Sequence, residues 1–146
     1  MPSRWLRAGI ATAITDGLFS SVLAQFFYGS SVRKLWEGVA SLVFGKGGTM
    51  VQGIAMHFGV ALFWSGVFVF LLMSRSAVRR LGVVRTAAIY GPMIWLVMSL
   101  VVIPLLVHRP PNITVRWWIQ LIGHFPFVGL PIVFFATAPG RTSDPA

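Results

Sequence analysis

Residues 49–73 read TMVQGIAMHFGVALFWSGVFVFLLM, a run that contains no Asp, Glu, Lys or Arg. A hydrocarbon core about 30 Å thick is crossed by about 20 helical residues rising 1.5 Å each. The run therefore predicts a transmembrane helix with its backbone hydrogen bonds satisfied internally, as lipid demands. Three further apolar runs, at 8–28, 86–107 and 117–138, predict three more. The expected fold is an all-α membrane protein, a bundle of four transmembrane helices forming a single membrane domain over residues 1–146.

Bulk composition agrees. Only 10% of the 146 residues are charged and the mean hydropathy is +0.80, against roughly 25% charged residues in soluble domains. The formal charge of +9 lies between the apolar runs, where it orients spans and meets lipid headgroups, not on one soluble face as in a nucleic-acid binder. No nucleic-acid partner is expected. The expected partners are the lipid bilayer and other membrane subunits or a second copy of the chain. With no cysteine, disulfides and thiolate chemistry are excluded.

Arg4 and Arg7, an apolar stretch and Val22-Leu23-Ala24 imitate a secretory signal with a cleavage site. Asp16 inside that stretch argues against processing, so the segment is read as a retained first span. It carries two stripes of small or polar residues at i, i+4 spacing: Gly9, Ala13, Gly17, Ser21, and Ala8, Thr12, Asp16, Ser20, Ala24. Such faces let helix backbones approach closely, and Gly9, Ala13, Gly17 and Ser21 are the expected packing positions.

Between spans one and two, Val32, Leu35, Trp36, Val39, Leu42 and Val43 recur at helical spacing while Arg33, Lys34, Glu37 and Ser41 avoid that line. This predicts a short amphipathic interfacial helix over 31–44, with Ser31 as N-cap and Gly45 as its stop. Gly45-Lys46-Gly47-Gly48 reads as a flexible joint, since the phosphate-loop pattern is absent. Trp5, Trp36, Trp117 and Trp118 fall at span ends or on this helix and are expected to anchor at headgroup level. Gly91-Pro92 and Pro104 are expected to kink span three.

Arg4, Arg7, Arg75, Arg79, Arg80, Arg85 and Arg141 fall on one side of this topology, and Arg33, Lys34, Lys46, Arg109 and Arg116 on the other. The denser side, with its arginine-rich 74–85 connection, predicts cytoplasmic termini.

Ionisable residues within spans are costly and mark either structural or functional contacts. There are three: Asp16, His57 and His124. At 1.5 Å per residue, His57 and His124 sit about 11 to 12 Å below one membrane edge and Asp16 about 18 Å below it. They form one expected intramembrane polar layer, with Gln25, Gln52 and Gln120 nearer the same edge. One reading is interhelical hydrogen bonding; a second is a proton-linked channel, transporter or pH-responsive protein. A third is a redox subunit binding quinone, or haem b between His57 and His124.

No cofactor or metal is required by the first reading. Zinc-protease and serine-hydrolase motifs are missing, and Glu37 and Asp144 lie outside the spans, so the chain is expected not to be an enzyme. The expected role is a structural or accessory subunit. Asn112-Ile113-Thr114 matches a glycosylation sequon but hugs the membrane behind two prolines. His57-Phe58 and His124-Phe125 give a faint echo between the two halves of the chain.

Several segments, taken together, resemble a known group. They are Ile10-Ala11 with Asp16-Gly17, Gly47-Gly48, Met56-His57-Phe58, Ile89-Tyr90-Gly91, Trp95-Leu96-Val97-Met98, Val102-Ile103-Pro104-Leu105, and His124 with Val128-Gly129-Leu130-Pro131-Ile132. The group is the four-span bacterial inner-membrane proteins of the YagU-like domain-of-unknown-function class. The resemblance spans roughly residues 10–135 and implies a bacterial inner membrane, a four-helix fold, and Asp16, His57 and His124 as the group's polar span positions. It implies no activity.

Overall fold

A computed structural model describes residues 2–138. Arg141, Asp144 and the polar tail lie outside the described residues. Five helices follow in order: α1 (Ser3–Phe27), α2 (Val32–Phe44), α3 (Met50–Leu72), α4 (Ser76–Val107) and α5 (Val115–Thr137). No strand occurs among the described residues. α1, α3, α4 and α5 are long and apolar enough to cross a bilayer, and the chain is a multi-pass integral membrane protein with an all-α bundle. Large apolar side chains such as Leu18, Phe26, Phe63, Ile89 and Ile122 are exposed around the bundle. In water they would form an aggregation-prone surface, whereas in a bilayer they meet acyl chains.

α1 lies between α3 and α5, α4 packs along α5, and α2 packs on α3. Lipid removes the hydrophobic drive between helices, so close backbone approach and interhelical hydrogen bonds hold such bundles. Both are present. A side chain at Gly91 would strike the His124 carbonyl, and one at Gly129 the Ala87 carbonyl, so α4 and α5 cross nearly backbone to backbone. Trp5 donates its indole N–H to the Leu62 carbonyl (2.6 Å) and Tyr90 its hydroxyl to the Trp64 carbonyl (2.7 Å). Trp117 Nε1–H donates to Ser99 Oγ (3.0 Å).

Prolines shape α4 and α5. One π-turn (Met98–Val102) immediately precedes the segment containing Pro104, and another (Phe125–Gly129) contains Pro126 and precedes Pro131. A π-turn widens the helix where the proline ring would clash with the preceding turn. Pro131 has no N–H to offer the Phe127 carbonyl four residues back. Thr15 of α1 supplies the donor instead, Oγ1 to Phe127 O at 2.6 Å. At Pro92 the backbone stays helical, and the non-helical residue within α4 is Gly82 (φ 72°, ψ 176°).

The third long helix reaches further than its apolar run. It starts at Ser76 and absorbs most of the arginine-rich connection as a helical limb hinged at Gly82. Arg, Ala and Leu are good helix formers, and hydropathy marks where lipid begins, not where helix begins. Gly82 needs its positive φ, which other residues rarely adopt.

α2 has the expected cap, Ser31 Oγ accepting from Lys34 N–H (3.2 Å), and stops at Gly45 (φ 62°). Gly48 packs on the Ala40–Ser41 backbone and Gly53 on the Trp36 carbonyl. The pairing order reverses along the two helices, so α2 and α3 form an antiparallel hairpin. Trp36 is thereby turned inward and is only 6% exposed. It is not a headgroup anchor, and neither is Trp117 at 8%, whereas Trp118 is 55% exposed. Helical phase decides this: Trp36 and Trp117 sit on the inward faces of α2 and α5.

The half of the bundle nearest the N-terminus is filled. Phe68, Ile132, Val133, Ala87, Tyr90 and Ala136 form a continuous buried core there.

Candidate functional site

Opposite that core, the other half of the bundle encloses a cavity of about 580 Å³. Its polar wall comes from two ladders at i, i+4 spacing: Thr12, Asp16 and Ser20 on α1, and Arg116, Gln120 and His124 on α5. His57 of α3 adds to the first. Leu35, Val39, Leu42 and Val43 of α2 face Val102, Ile103 and Leu106 of α4 as the apolar wall. Four of the six tryptophans, Trp36, Trp64, Trp95 and Trp117, line the space. Asn112, Thr114 and Arg116 bring it to the surface. At the other end, Ile94, Val128 and Ile132 belong to both the cavity wall and the buried core, so the space is blind.

His57 and Asp16 meet directly. His57 Nε2 lies 3.1 Å from the Ala13 carbonyl, which only accepts, so this nitrogen carries the hydrogen and donates it. Asp16 Oδ2 is 3.8 Å from the same nitrogen, outside hydrogen-bond range but within reach of an ion pair whenever the ring is protonated. Trp36 lies over the His57 ring with centroids 5.1 Å apart. The small-residue stripe permits this cluster: Gly17 faces both the His57 ring and Trp36, and a side chain at Gly9 would strike Leu62. Ala13 is buried and Ser21 half-buried. The stripe is consumed by packing within the chain.

His124 is held separately. Its Nδ1 lies 2.7 Å from the Gln120 carbonyl, so Nδ1 donates and Nε2 is the free acceptor. Trp95 packs on this ring at 4.8 Å between centroids. Each histidine of the sequence echo thus has a tryptophan from a neighbouring helix against it. The ring nitrogens left to ligate an iron are Nδ1 of His57 and Nε2 of His124, and no cluster of three or more metal-ligating side chains occurs among the described residues. Gln52 is spent in a capping box with Thr49, and Gln25 is exposed.

Trp64 and Trp95 were not among the expected site residues. Their signal was position: both lie in the middle of spans, away from the interfaces where membrane tryptophans concentrate. Thr12 and Ser20 were visible only as members of a packing stripe. No family model, curated protein or solved structure matches this chain.

Proposed function

We propose that this protein is a non-enzymatic binding component of a bacterial inner membrane, holding an amphipathic, largely apolar small molecule between its helices. The observation that carries the reading is the blind, aromatic-lined cavity of about 580 Å³, within the range of about 300 to 1,000 Å³ typical of ligand sites with a few convergent polar groups. A channel or transporter needs a path to both faces, and the packed core beyond Ile94, Val128 and Ile132 favours binding over passage. A role as a purely structural subunit drew its support from the small-residue face of α1, but that face is occupied by α3 and Trp36. Arg4, Arg7, Arg75, Arg79, Arg80 and Arg85 gather at the N-terminal end of the bundle, which supports cytoplasmic termini.

The test uses the cavity's own tryptophans. The purified chain in phosphatidylcholine nanodiscs, titrated with 1-bromodecane, is expected to show saturable fluorescence quenching. Val39→Phe, which narrows the apolar wall, should weaken it. Quenching no stronger than for free tryptophan analogues in the same bilayer would sink the reading.

A further inference from the structure

The cavity meets the surface where α5 begins, at Asn112, Thr114 and Arg116, which in a four-span topology is the level of the lipid headgroups. Among the described residues, Arg116 is the one Lys or Arg in its lining. Its guanidinium lies over the Tyr28 ring, 4.5 Å from the centroid. Such stacking uses the flat face and leaves the N–H edge to take a carboxylate or phosphate. Both acidic side chains among the described residues are spent elsewhere, Glu37 on Arg33 and Asp16 beside His57, so neither neutralises Arg116.

Below this polar mouth the space has the dimensions of one hydrocarbon chain. Val128, at the floor, lies twelve residues beyond Arg116, about 18 Å along α5 at 1.5 Å per residue. A single leaflet of a core about 30 Å thick holds chains of about 15 Å. The volume of about 580 Å³, spread over that depth, gives a mean cross-section of about 30 Å², room for one acyl chain and not for two side by side. Leu35, Val39, Leu42, Ile103 and Leu106 line its length on one wall. The facing ladder presents little polar surface: Gln120 and His124 are 8% and 7% exposed, and the His124 Nδ1–H is already donated to the Gln120 carbonyl. The ionisable acid deeper in the space is Asp16, which offers an anion no counter-charge. Charge therefore sets the direction of entry, with an anionic head at Arg116 and the tail inward.

We infer that the occupant is an anionic single-chain amphiphile, its carboxylate or phosphate head on Arg116 at the mouth and its one acyl chain in the cavity. The inference rests on the binding reading above and specifies the ligand and its orientation. Free fatty acids and lysophospholipids share this chemistry.

The experiment titrates 12-bromododecanoate and 12-bromododecanol, the same chain with and without the charge, into the full-length chain in phosphatidylcholine nanodiscs. The buffer is at about pH 9, where a carboxylic acid is ionised, and concentrations are taken per bilayer lipid to remove differences in partitioning. Bromine at the chain end quenches tryptophan fluorescence on contact. The acid is expected to saturate at a concentration about 5- to 10-fold lower than the alcohol, between the worth of an exposed ion pair and that of a hydrogen bond to a charged group. Arg116→Gln should erase that difference by weakening the acid alone, and Arg116→Lys should restore most of it. Lys46→Gln removes a cation outside the cavity lining and should change neither. Orientation is read with 2-bromododecanoate, whose bromine stays by the head. Trp64→Phe combined with Trp95→Phe should remove most of the quenching by the 12-bromo acid and little of that by the 2-bromo acid. Arg116 is exposed, so its variants decide the matter even if the double tryptophan variant loses its helical circular dichroism. Competition by dodecanoate and by lauroyl lysophosphatidylglycerol identifies the source, the stronger competitor carrying the head that the site prefers. Equal affinity for acid and alcohol, an acid Kd unmoved by Arg116→Gln, or quenching by the 2-bromo acid that depends on Trp64 and Trp95 would overturn the inference while leaving a cavity for apolar molecules. Failure of both chains to saturate would overturn the binding reading as well.

Discussion

Thr15→Val isolates one contact between α1 and α5. Valine keeps the shape of threonine and removes the hydroxyl that donates to the Phe127 carbonyl at 2.6 Å. Interhelical hydrogen bonds in membranes average about 0.6 kcal/mol and reach about 1.7, while a buried carbonyl left without its partner costs about 1 to 3 kcal/mol. This bond belongs near the upper end, because it is short and the residue that would normally close on the carbonyl is Pro131. Thr15→Val should therefore destabilise by about 1 to 2 kcal/mol. Pro131→Ala restores the missing N–H, so in that background the same substitution should cost less than about 0.5 kcal/mol, a coupling of about 1 kcal/mol between sites on different helices. Equilibrium unfolding in dodecyl maltoside with increasing sodium dodecyl sulfate, followed by circular dichroism, measures all four corners of the cycle. A neutral Thr15→Val, or an equal cost in both backgrounds, would refute the substitution of a side-chain donor for the proline's absent one.

Gly53→Ala should destabilise by more than about 2 kcal/mol through overpacking, because its methyl would strike the Trp36 carbonyl. Gly38→Ala, with open space around it, should be neutral or stabilise by up to about 1 kcal/mol, and the same unfolding assay compares them. Asp16→Asn should be tolerated better than Asp16→Leu in melting temperature, since the amide keeps a polar partner for the His57 neighbourhood; the reverse order would remove Asp16 from any polar role. A cysteine introduced by Ser76→Cys should resist a membrane-impermeant maleimide added to the periplasmic side of intact cells, and ready labelling would invert the proposed orientation.

The spans were legible because each keeps lipid-compatible residues over a full bilayer width, and α2 because Ser31, Gly45 and a clean apolar phase mark its ends and face. The inward turn of Trp36 was less so. A tryptophan near a span end satisfies both an anchoring rule and a packing rule, and only the close approach permitted by Gly53 decides between them. The start of α4 was hidden because arginines end a hydrophobic run without ending a helix. Asp16, His57 and His124 were found by the rarity of ionisable groups in lipid, but depth counting carries no azimuth. It expected all three in one layer; all three line the one cavity, with Asp16 beside His57 and His124 held by its own contacts with Gln120 and Trp95, a division that depth alone does not reveal. The cavity itself is a space between five elements, and no periodicity within one of them encodes it.

The π-turn at Phe125–Gly129 gives α5 two separate angular registers. Before it, Trp117, Gln120 and His124 are indexed to the cavity; after it, Ile132, Val133 and Ala136 are indexed to the core. Each residue of an α-helix advances the facing direction by about 100°. Winding the same residues as a regular α-helix would swing one half of α5 by about that angle against the other, so that either His124 or the core side chains would face lipid, whereas deleting one residue from the turn removes the surplus and leaves both faces nearly where they are. A one-residue deletion within this turn should therefore be tolerated better than a one-residue deletion in the regular winding on either side of it, which has no surplus residue to give up.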